Sequence, residues 1–146
     1  MMNTTETLPL AVDHALLWRA LEPALAARGL LDGALEVDGQ RIERREVAQT
    51  LAWVVAMERR VAVRLEAPMP ARVRRRAERI RERFRRQARV FLFMLGVLPV
   101  ARVRARPLDA GGHDPEIAEW FGVDPVELAA ATREALRQAE RDSEEE

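Results

Sequence analysis

Residues 71–95 read ARVRRRAERIRERFRRQARVFLFML, and two interleaved periods run through them. Val73, Ala77, Ile80, Phe84, Ala88, Phe91 and Leu95 recur every three or four positions, which places them along one side of a helix of about 3.6 residues per turn. Arg72, Arg75, Arg76, Arg79, Arg83 and Arg86 recur in the same way on another side. The segment is therefore predicted as one long amphipathic helix with an apolar seam and a basic stripe. Ala67-Pro68-Met69-Pro70 marks its start and Gly96 its end.

Working outward, a helix is predicted over about 10–28, with Leu17, Leu21, Ala24 and Leu25 on one face, Gly29 as its stop and Pro23 as a point of kinking or splitting. Asp38-Gly39 lies between alternating apolar residues of 35–42. Both turn positions tolerate positive φ, so a short β-hairpin is expected there. From about 43 to 65 the pattern is helical again, and over 47–57 apolar residues occupy nearly every side, as in the centre of a core. Residues 100–112 have no clear period and read as an edge strand or a loop. Asp114-Pro115 and Asp124-Pro125 each supply an N-cap followed by proline at the first helical position. With Gly122 between them, they predict a closing helix pair of helix-turn-helix character that ends near Arg141. The fold class is thus mainly α with one small hairpin and five or so helices. A single domain spans 1–146, with 1–8 and 142–146 frayed.

Composition narrows the chemistry. The 146 residues are 48% hydrophobic and 33% charged, as in folded globular chains. No apolar run approaches the roughly 20 residues that cross a bilayer. Residues 1–6 carry no secretory pattern, so a cytoplasmic protein with no membrane contact is expected. There is no cysteine, which removes disulfides, thiolate ligands and thiol nucleophiles together. His14 and His113 fall on distant elements, and Ser143 has no base beside it. Gly111-Gly112 alone makes no phosphate loop. No enzyme activity and no cofactor are expected.

The charge is sharply segregated. Residues 72–89 hold ten arginines and two glutamates, a local charge of +8 in a chain whose formal net charge is +0. All 24 basic residues are arginine. Guanidinium forks at successive helical turns suit a row of carboxylates or phosphates. Glu78 and Glu82 cannot offset them all, so the stripe is either a solvated face or is answered by Glu140 and 144–146 of the same chain, by an acidic protein partner or by nucleic acid. The last helix begins Pro125-Val126-Glu127 and offers no early arginine, asparagine or glutamine to base edges, so core packing explains the closing pair better than base readout. A homodimer through apolar surface around Trp18 or Trp120 is compatible with either partner.

Thr50-Leu51-Ala52-Trp53-Val54-Val55-Ala56-Met57, followed by Arg85-Arg86-Gln87-Ala88-Arg89-Val90-Phe91 and Pro99, resembles the two motifs of the ImmA/IrrE zinc peptidases. Those read T-L-A-H-E-x-x-H and E-x-x-A-N-x-F before an apolar run and a proline. Ile117 to Val123 is similar to that family's closing helix pair. The resemblance covers about two thirds of the chain and implies a zincin-like helical core and a bacterial regulatory or mobile-element setting. Carried over, the two histidine ligands fall on Trp53 and Met57, the general base on Val54 and the third ligand on Arg85. An indole, a thioether, a valine and a guanidinium cannot do that work. The resemblance therefore implies a pseudo-peptidase retained for binding, with Trp53 and Met57 filling the vacated metal space. A nucleic-acid-binding regulator that uses the arginine stripe is the alternative.

Overall fold

The computed structural model describes residues 11–99 and 106–145. Its elements are α1 (Val12–Ala26), β1 (Ala34–Val37), β2 (Gln40–Glu43), α2 (Arg44–Arg64), α3 (Ala71–Met94), α4 (Pro115–Phe121) and α5 (Pro125–Glu145). The fold is mainly helical with one small hairpin, as the periodicities require. The expected fraying of 1–8 and the first part of the strand-or-loop segment, residues 100–105, lie outside the described residues. At the other end α5 runs to Glu145 rather than stopping near Arg141, so 142–145 are helical. Glu134 accepts from Arg137 and Arg141, and Gln138 donates to Asp142. These pairs three, four and seven positions apart steady the last turns.

Each boundary has a local cause. α1 passes through Pro23 without ending, and Ala27 closes its last turn by donating to the Pro23 carbonyl. The hairpin is antiparallel, with Leu35 opposite Ile42 and Val37 opposite Gln40. Asp38 and Gly39 both take positive φ, 51° and 78°, which is the mirror-image turn whose twist suits two strands joined by two residues. Gly122 ends α4 at φ 57° and redirects the chain into α5 within a few residues.

α2 is the central rod, packed by α1 on one side, α3 on another and α5 on a third. Its buried face carries Val47, Leu51, Ala52, Val54, Val55 and Glu58. α1 adds Leu17, Leu21 and Leu25, each fully buried, and the end of α3 adds Leu92 and Leu95. α5 seals the group with Leu128, Thr132 and Ala135, and the buried Thr132 hydroxyl donates to the Leu128 carbonyl at 2.8 Å. One face of α5 is thus committed to the core, and its other faces are exposed. Among the described residues no helix is long and apolar enough to cross a membrane.

The two tryptophans expected to offer apolar surface to a homodimer are partly covered within the chain. Trp18 and Trp120 are both half-buried against the core, and each carries a guanidinium over its ring, Arg45 at 6.0 Å and Arg28 at 4.5 Å. A ring already covered by a cation offers little free apolar area. The large exposed apolar side chains include Trp53, Val73, Val90 and Phe93.

His14 makes the interior sensitive to acid. Its ring bonds the Gln49 backbone and its Nε2 is buried without a partner, so burial holds the imidazole below its ordinary 6.5. The unfolded chain gains a proton near pH 6.5, whereas the folded one resists it. Stability should therefore fall as pH drops from 8 toward 5, read as a decreasing urea midpoint. His113 is shifted in the same direction, so a His14→Gln/His113→Gln variant should flatten that slope. An unchanged slope would assign it to other groups.

Candidate interaction surface

The ten arginines of 72–89 do not form one stripe. α3 sorts them by helical phase into an inward set and an outward set, and every inward member has a defined partner.

Arg74 donates to the carbonyls of Leu65 and Ala67 at 3.0 and 3.2 Å, satisfying acceptors that the end of α2 leaves open. One further inward position along, Arg81 reaches Glu58 of α2 at 3.1 Å and also bonds the Gly112 carbonyl. Arg59 takes the same two partners from α2, each at 3.3 Å. Arg85 then meets Asp114 at 3.2 Å and Glu82 at 2.8 Å, and it bonds the Arg106 carbonyl. Arg89 is fully buried and holds both carboxylate oxygens of Asp114, at 2.7 and 2.8 Å, and Glu116 at 2.9 Å. Asp114 also caps α4 by accepting the N–H groups of Glu116 and Ile117. One carboxylate thus starts α4 and binds it to α3.

This cluster is the part of the protein that the sequence concealed. Asp114 was legible as an N-cap, but its arginine partners lie 25 and 29 positions away, beyond any local pattern. The internal use of arginine that the charge count allowed is real for Arg81, Arg85 and Arg89, whose carboxylate partners are Glu58, Glu82, Asp114 and Glu116 rather than the acidic tail, and for Arg74, which turns to backbone carbonyls.

The outward set is the one named from the sequence. Arg72, Arg75, Arg76, Arg79, Arg83 and Arg86 are all exposed, and among the described residues none is bonded to a carboxylate. Glu82, which the charge count set against this stripe, is drawn inward to Arg85. Glu140 and Glu144 are exposed on α5 and do not reach the stripe. Positions 72, 76, 79, 83, 86, 90 and 93 alternate strictly by four and three. That is the seam spacing of a helix made to lie along another helix. Arginines hold the first five positions over about 21 Å, and Val90 and Phe93, 42% and 41% exposed, hold the last two. Shallow clefts open between the guanidiniums, one over Ile80 and the next over Val90 and Phe91.

The four positions matched to a zinc peptidase are dispersed in their roles. Val54 is buried, Met57 is half-buried against the core, and Arg85 is buried in the ion cluster. Trp53 is 50% exposed. It falls across the helix from Leu51 and Glu58, so its indole lies at the surface and does not fill an internal space as expected. Among the described residues no three His, Asp or Glu side chains converge as metal ligands.

No family model, curated protein or solved structure matches this chain.

Proposed function

We propose that this protein is a non-catalytic interaction module that receives an acidic, amphipathic helix of a partner protein along the outward face of α3. The observation that carries the reading is the seam at 72, 76, 79, 83, 86, 90 and 93, basic for five positions and apolar for two, with no acidic partner among the described residues. A carboxylate-bearing helix satisfies the arginines by forked hydrogen bonds, and its apolar end covers Val90 and Phe93. A nucleic-acid backbone would answer the arginines but leave the two apolar positions without a role. The motif resemblance adds the proposal that this module descends from a peptidase whose ligand positions no longer share one site, Arg85 now being held by Asp114 and Glu82.

The test compares two labelled probes by fluorescence anisotropy over roughly 50 to 500 mM salt. One is a synthetic helix with glutamates on its seam and leucines at its end, and the other is a DNA duplex. The helix should bind and keep part of its affinity at high salt, because burial of Val90 and Phe93 is not screened. An R76E/R79E/R83E variant should lose on the order of a hundredfold in affinity, with an unchanged melting curve because all three side chains are exposed. Duplex binding that falls steeply with salt, with no binding of the helix, would overturn the reading in favour of nucleic acid.

A further inference from the structure

A separate feature lies on the other side of α2. Between α1, α2, α4 and the start of α5 there is a partly open cavity of about 130 Å³. Leu17, Val55, Ile117, Phe121 and Leu128 supply its apolar walls. Glu58, Arg59 and His113 stand at its polar side. The charged groups there already have partners. Glu58 is engaged by Arg59 and Arg81, Asp109 accepts the N–H groups of Gly111 and His113, and Asp114 holds Arg85 and Arg89. The imidazole of His113 differs, since its ring makes no hydrogen bond to a described residue. Burial and the nearby Arg59 guanidinium hold this ring below its ordinary 6.5, which keeps it neutral near pH 7 with one donor and one acceptor.

We infer that this cavity binds one uncharged, single-ring molecule carrying one hydroxyl, of the phenol class, with its ring among the apolar walls and its polar atom on His113. Size sets the first condition, because an apolar cavity of about 150 Å³ accepts a benzene-sized guest, and this one, at about 130 Å³ and partly open, has room for no more than one ring. Charge balance sets the second. An anion would have to draw Arg59 from Glu58, and a cation, beyond the exposed Asp109 at the rim, would have to draw Glu58 from two arginines. Both exchanges forfeit ion pairs that are mostly buried. A neutral ring forfeits nothing, and a single hydroxyl completes the bonding of His113.

The site shares no outward arginine of α3, so its test is separate from that of the partner helix. Titration of p-cresol into the full chain, followed by NMR, should give saturable shifts confined to residues around Leu17, Val55 and 113–128. Ala118, exposed on α4 at the edge of the cavity, provides one control. An Ala118→Trp variant should place its indole over the opening and weaken p-cresol by about tenfold or more, with the fold preserved. His113→Phe should reduce p-cresol to the affinity of toluene, a change of about three- to tenfold for one lost hydrogen bond, while toluene itself is unaffected. Absence of saturable shifts at ~1 mM probe would overturn the inference. So would affinity undiminished in both variants, or benzoate binding as tightly as p-cresol.

Discussion

Replacing Arg89 with leucine is expected to destabilise the protein by about 3–5 kcal/mol, the cost of stranding buried carboxylates whose cation has been removed. Arg89 has no exposed surface, and its partners Asp114 and Glu116 are nearly as deep, at 2% and 8% side-chain exposure. Asp114 would retain Arg85, and Glu116 would retain Arg106 at 2.8 Å, so the loss is partial rather than total. Set against the roughly 5–15 kcal/mol that separates most folded domains from their unfolded chains, it is still large. Urea unfolding measures it directly. The partner substitution Glu116→Leu in the same chain should recover part of the loss, because an apolar pair avoids the cost of desolvating the charges. A change below about 1 kcal/mol would show that water reaches the cluster.

The second large effect is expected where α1 meets α2, at Asp13, which is fully buried and takes both prongs of Arg60, at 2.7 and 2.8 Å. Its Oδ1 also accepts the His14 N–H at 2.9 Å. Asp13→Ala should cost about 2–4 kcal/mol, somewhat less than the Arg89 change, because Arg60 is 17% exposed and can turn toward water. For a chain of this size that corresponds to roughly 10 °C in melting temperature. Arg60→Lys keeps the charge but loses the flat two-pronged fit, and it should recover only part of the wild-type stability. Calorimetry of the two variants checks the order. If Arg60→Lys matched wild type, the contact would act as a point charge and not as a fork.

The two expectations share a reason for having been invisible in the sequence. Helix ends and the hairpin announce themselves locally: Asp38-Gly39 sets its own turn, Pro68 and Pro70 forbid continuation, and Asp114-Pro115 starts a helix within one residue of where it is found. The inward arginines announce nothing, since Arg85 and Arg86 are chemically identical and differ only in phase about α3. The apolar seam through Val73, Ala77 and Ile80 pointed to a slightly different inner face. The buried strip actually runs through Arg85, Ala88, Arg89 and Leu92, and Val73 is 51% exposed. Apolar periodicity misses an interior side whose deepest members are charged. The same limit explains Trp53, because a run of apolar residues all around α2 does not say which one the packing leaves outside.

Sequence alone did identify the six outward arginines. It could not identify the continuation of their row into Val90 and Phe93, which becomes meaningful only once the inner side of α3 is known. The cavity beside His113 was equally hidden, since its walls come from four helices joined only by the fold.

The inward arginines have one more consequence for the outward ones. A rod resting on a greasy contact is free to roll, and rolling by one residue's step would swing every external charge through about a quarter of a circle. α3 is pinned by side-chain forks at Arg74, Arg81, Arg85 and Arg89, anchored on the end of α2, on Glu58 and on the start of α4. The compass bearing of the exposed row is therefore fixed from within, and a visiting helix meets charges already aimed.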